Sequence, residues 1–112
     1  VISGVSVVAS KVDLSSPDAV KDLAYQLRNE FELSFIVLGA EISGKPLLTV
    51  IVSDALVKEG KVNASTIVRE AAKEIQGGGG GQPFYATAGG KNANGIAAAL
   101  QKAVELFEVS MG

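Results

Sequence analysis

The sequence predicts one α/β domain, a mixed β-sheet with helices packed on it in the order β-α-β-β-α-β-α. Three observations lead there. Two apolar runs, residues 35–40 and 47–52, follow each other without alternation across a turn containing Gly44 and Pro46, the pattern of paired strands covered on both faces. Three other segments repeat apolar residues every three or four positions, the period of amphipathic helices. The chain has 112 residues, of which 47% are apolar and 20% charged, a composition that suits one domain able to bury its own core.

Taken in order, Val5, Val7, Val8 and Ala9 form a β-branched first strand with a polar exit at Lys11 and Asp13. Ser16 then suits a helix N-cap, Pro17 the first helical position, and Asp18 the positive end of the helix dipole. Val20, Leu23, Ala24, Leu27 and Phe31 make the buried stripe of that helix. The two apolar strands pair as a hairpin, and a right-handed crossover makes the first strand parallel to the second. Residues 53–58 hold about one helical turn, ended by Gly60. Asn63 caps the next helix, which buries Ile67, Val68, Ala71, Ala72 and Ile75 and closes at Gln76 and Gly77. Residues 84–88 read as a strand. Asn92 caps a final helix carrying Ile96, Leu100, Ala103, Val104 and Phe107.

The chain is organised around the stretch 77–91, which opens with five consecutive glycines. Glycine loses more backbone freedom on ordering than other residues, so a fold that keeps such a run gains clearance, positive φ or bare N–H groups from it. The alternative is a flexible tether. The run lies between a helical pattern and a strand, where an ordered loop is expected. It is no Walker A loop, because Gln82 and Pro83 follow the last glycine in place of Lys-Ser/Thr and a helix. Nor does it follow the first strand as a dinucleotide fingerprint does.

At these residues the sequence resembles a known family. Gly78, Gly79, Gly80, Gly81, Pro83, Ala86, Ala88, Gly89, Gly90 and Lys91 are similar to the glycine-rich signature near the end of alanyl-tRNA synthetases, within the DHHA1-type domain that they share with DHH phosphoesterases. The resemblance is weak before Asn63 and strong across residues 63–107. Two positions depart from it: a basic residue is usual where Gln82 stands and Gln where Thr87 stands. The resemblance implies that residues 1–112 are the globular C-terminal domain of a longer chain, a reading that the start at Val1 also suggests. It implies a cytoplasmic accessory module that binds the elbow of alanine-specific tRNA and supports aminoacylation and editing. Its partners would be that tRNA, other domains of the same synthetase and, on a further reading, a second copy. The parent enzyme would use ATP, magnesium and zinc, and this segment no cofactor.

Candidate nucleic-acid contacts are Gly78, Gly79, Gly80, Gly81, Gln82, Tyr85, Gly89, Gly90 and Lys91. The glycines would offer backbone N–H groups, Lys91 a charge beside the start of the last helix, and Tyr85 either a stacking face or a core side chain. Gly89 and Gly90 read equally as a strand-to-helix turn. The net charge is −2, yet from Lys45 to Lys91 there are six basic residues against four acidic, so the bias surrounds the glycines. Without Cys there is no disulfide or thiolate chemistry, and without His the commonest general base and zinc ligand are missing. Asp18 with Asp22 and Glu70 with Glu74 are helix-surface pairs, so no catalytic residue and no metal ligand is assigned. A rival function is nucleotide binding for a DHH phosphoesterase, although the His of that family's glycine motif is absent here. No run approaches the ~18 apolar residues of a membrane span.

Overall fold

A computed structural model describes residues 4–60 and 62–111; Val1 lies outside them, as does Lys61, one of the six basic residues counted between Lys45 and Lys91. The elements are β1 (Ser6–Lys11), α1 (Pro17–Asn29), β2 (Ser34–Ile42), β3 (Lys45–Val52), α2 (Asp54–Lys58), α3 (Ala64–Ala71), β4 (Gly78–Gly81), β5 (Tyr85–Gly89) and α4 (Ile96–Met111), with short 3-10 turns at Ala72–Ile75 and Ala93–Gly95. They build one five-stranded sheet in the order β1-β2-β3-β5-β4. β1 runs parallel to β2 and every other neighbouring pair is antiparallel.

The continuous apolar strands are explained by two cores. Phe35 and Val37 of β2 and Leu48, Val50 and Val52 of β3 point into one, beneath α2, α3 and α4. Ile36, Leu38 and Ala40, with Ile51, point into the other, beneath Val20 and Ala24 of α1. Successive side chains of a strand face opposite ways, so a sheet covered twice needs apolar residues at every position. The larger core is fastened where Phe107 of α4 stacks on Phe35, with ring centroids 4.5 Å apart, an arrangement worth roughly 0.5–1.5 kcal/mol beyond the area it buries.

The caps follow the sequence. Ser16 accepts a hydrogen bond from the Ala19 N–H, and Asn63 Oδ1 accepts from the N–H groups of Ser65 and Thr66 at 2.9 and 3.2 Å. The hairpin turn is tighter than expected, since Pro46 lies in β3 and pairs with Glu41. Ile42 pairs with Lys45, leaving only Ser43 and Gly44 in the turn, both at positive φ, as a two-residue type I′ connection requires. Phe31 departs from its expected stripe. It lies just past the end of α1 and is 36% exposed.

The end of the α3 segment is also different. Gln76, not Gly77, takes the left-handed conformation, with φ 54° and ψ 49°. The Gln76 N–H bonds to Lys73 O and the Gly77 N–H to Ala72 O, the two bonds of a Schellman ending. The glycine is needed one position later for clearance, because a Cβ on Gly77 would overlap the backbone of Gly89 and Gly90.

Candidate nucleic-acid interface

The glycine run, expected as an ordered loop, is an edge strand. β4 pairs with β5 in the register Gly78↔Gly89, Gly79↔Ala88, Gly80↔Thr87 and Gly81↔Ala86. Glycine has little intrinsic strand preference, so proximity must explain the pairing. Cβ atoms built on Gly77, Gly79 and Gly81 would each fall under 3.0 Å from β5 backbone or the residue after it. A Cβ on Gly78 meets nothing within 4 Å, and one on Gly80 meets only the Ser65 hydroxyl at 3.4 Å. The run therefore divides by alternation. Gly77, Gly79 and Gly81 let the strand approach β5, while Gly78 faces open space and Gly80, half-buried, faces Ser65 of α3. Gly79 and Gly80 do not have positive φ, which within the run occurs at Gly81.

At the head of β4, Lys45, Pro46, Gln76, Gly77, Gly89, Gly90 and Lys91 line a shallow groove of about 390 Å³. Three of the sequence-predicted residues, Gly89, Gly90 and Lys91, meet here. Lys45 and Gln76 are additions that the sequence reading missed. Lys45 arrives because β3 pairs with β5 at Leu47↔Gly89, a register that only long-range pairing sets. Two other hollows, about 340 and 320 Å³, are lined by residues 11–13 with Glu41 and by a group including Arg28 and Asp54. Neither contains a predicted site residue.

The backbone at this corner is already bonded. The Gly90 N–H donates to Pro46 O, and the N–H groups of Lys91 and Asn92 both donate to Ile75 O at 2.9 Å. Asn92 Oδ1 in turn accepts from the Asn94 N–H. An anion here would therefore meet the side chains of Lys45 and Lys91 and not a cradle of Gly90 and Lys91 amides. Gly90 has a structural duty as well, since a Cβ there would strike Ile75 O.

Gln82 and Tyr85 stand apart from the groove. The Gln82 N–H donates to Tyr85 O and the Tyr85 N–H to Gln82 O, closing the turn from β4 to β5. The Tyr85 side chain lies on the α1 face of the sheet, stacked on Tyr25 with centroids 5.7 Å apart and with Lys21 Nζ 5.6 Å from its own ring centroid. Burial, with smaller contributions from Tyr25 and Asp18, pushes the Tyr85 phenol above its ordinary range. Among the described residues no three His, Cys, Asp or Glu side chains gather as a metal site, and no helix is long and apolar enough to cross a membrane.

These features coincide with a known group of proteins. The DHHA1 domain model matches residues 4–109. Alanine–tRNA ligases of Christiangramia forsetii and Bacteroides thetaiotaomicron are 56% and 51% identical over 102 and 106 residues, covering 91% and 94% of this chain and 12% of each relative. The solved C-Ala domain of Aquifex aeolicus alanyl-tRNA synthetase superposes with a TM-score of 0.79 at 25% identity, over 93% of this chain and 90% of that one. A solved DHH-domain protein from a family of ribosomal proteins shares the fold at a TM-score of 0.53 and 15% identity, over 80% of this chain and 21% of that one. The chain belongs to the DHHA1 domain family, in the form carried by alanine–tRNA ligases.

Proposed function

We propose that this domain binds tRNA through the glycine strand and the groove at its head, placing the elbow of alanine-specific tRNA so that the aminoacylation and editing centres of one synthetase serve the same molecule. The observation that carries the reading is the groove itself, where Lys45 and Lys91 flank the glycine backbone of Gly77, Gly89 and Gly90. Lysine ammonium groups bind phosphate oxygens as point charges, and glycines beside them let a sugar-phosphate chain come close. The chain spans 12% of the length of the relatives above. Residues 1–112 are accordingly read as one domain of a larger cytoplasmic ligase, whose ATP, magnesium and zinc belong to its other domains. Association with a second copy is a separate reading that nothing in the groove requires.

With so few cations, binding is weak and depends on backbone and shape. If about three phosphates are neutralised, log K falls with log salt at a slope of about −2 to −3. Titration of full-length tRNA against an acceptor-arm minihelix that lacks the elbow tests the reading by fluorescence anisotropy. Tighter binding of the full-length tRNA is expected. Equal affinity for both removes the elbow, and no salt-dependent binding of either removes the RNA role.

A further inference from the structure

The far end of β4 has a cation of its own. Ser65, in the first turn of α3, puts its hydroxyl 3.4 Å from the place of a Cβ on Gly80, and the same oxygen accepts a hydrogen bond from Arg69 Nη2 at 3.3 Å. Arg69 is one turn further along the helix, so the i, i+4 spacing brings its guanidinium back to Ser65 beside the strand. The next cation, Lys73 in the 3-10 turn after α3, is neutralised: Lys73 Nζ holds Glu70 Oε2 at 2.9 Å. The hydrogen bond and charge of Lys73 are the main cause that keeps the Glu70 carboxyl below its usual range, and Arg69 contributes least. Among the described residues no carboxylate forms an ion pair with Arg69. Gln82, just beyond the strand, is uncharged.

We infer that Arg69, oriented by Ser65, is a second phosphate contact at the Gly80 end of the glycine strand, opposite the lysine groove. The inference rests on the RNA-binding reading above and extends it from one corner to the whole length of β4. The strand rise of about 3.3 Å per residue separates Gly77 from Gly80 by roughly 10 Å. That exceeds the axial rise of about 3.4 Å per nucleotide of one strand, so more than one phosphate can lie along it. A single sugar-phosphate backbone lying along β4 would thus meet lysine charge at one end and a guanidinium at the other, with uncovered glycine backbone between. A guanidinium offers several fixed donors, so with Ser65 holding one of them the others remain for phosphate oxygens.

The test compares Arg69→Ala, Arg69→Lys and Ser65→Ala with the unmodified domain, using full-length tRNA across a salt series and thermal unfolding as a control for folding. Expected for Arg69→Ala is a severalfold loss of affinity near 0.1 M salt and a slope smaller in magnitude by about 0.7–0.9, with an unchanged melting temperature. Arg69→Lys keeps the slope but loses part of the affinity. Ser65→Ala weakens binding with the slope intact, as expected of a positioning residue. If Arg69→Ala matches the unmodified domain while Lys91→Ala weakens binding, the Arg69 contact is overturned and the groove stands. If the unmodified domain shows no salt-dependent binding, both fall.

Discussion

A Cβ on Gly79 would stand 2.5 Å from the Cα of Ala88, its partner in the β4–β5 ladder. Gly79→Ala must therefore push the strand off the sheet edge, an overpacking that costs about 1–3 kcal/mol and several degrees in melting temperature. Gly80→Ala meets only the Ser65 hydroxyl at van der Waals distance. Its stability should be unchanged or higher by about 0.4–1 kcal/mol through lost unfolded-state freedom. RNA affinity should nevertheless fall, because the methyl group crowds the Ser65 hydroxyl that holds Arg69. Calorimetry and anisotropy on both variants separate the two duties, and equal stability of the pair would refute the alternation described here.

Lys91 tests the groove. Its backbone N–H is engaged with Ile75 O, and truncating the exposed side chain leaves that bond alone. Lys91→Ala should unfold like the unmodified domain and reduce the magnitude of the salt slope by about one. An unaltered slope would take Lys91 out of the interface.

Gln76 has a left-handed backbone without being glycine, a conformation that costs an ordinary residue roughly 1–2 kcal/mol. Gln76→Gly relieves that cost but adds unfolded-state freedom, so the net gain should be about 0.5–1 kcal/mol. Gln76→Val should be worse than either, since β-branched residues tolerate this region least. The order Gly, Gln, Val in chemical denaturation is the expected result. Any other order would mean that the Schellman ending is not held in solution.

The stacked tyrosines give a pH dependence at the alkaline end. The Tyr85 phenol titrates above its unfolded value because it is partly buried beside Tyr25 and Asp18. Above the unfolded value, about 10, the unfolded chain releases this proton while the folded one keeps it. Folding stability is thus fully present below about pH 10 and declines as pH rises past it. Tyr85→Phe should flatten that decline and leave stability at neutral pH nearly the same. A denaturation series from about pH 8 to 11 would show it, and identical alkaline profiles would contradict the assignment.

Much of the fold was legible in the residues themselves. The continuous apolar runs identified strands buried on both faces, Ser16 and Asn63 marked helix starts, Asn92 marked the 3-10 turn that leads into α4 and not α4 itself, and the crossover rule made β1 and β2 parallel. Such signals are local: a cap needs a side-chain oxygen a few residues from its N–H, and burial on both faces needs only an apolar side chain at each position. The glycine signature was legible for the same reason, as a motif of adjacent residues.

Only the tertiary structure decided what those glycines do. Composition alone cannot show that Gly77 and Gly79 are held against β5 while Gly78 is open and Gly80 faces Ser65, because clearance depends on a strand that comes later in the chain. It also placed Lys45 beside Lys91, Tyr85 on the opposite face against Tyr25, and Ser65 between Gly80 and Arg69. Each of these contacts is set by sheet register or by helix docking. Both are fixed by burying apolar side chains far apart in sequence, and neither has a signature within a window of neighbouring residues.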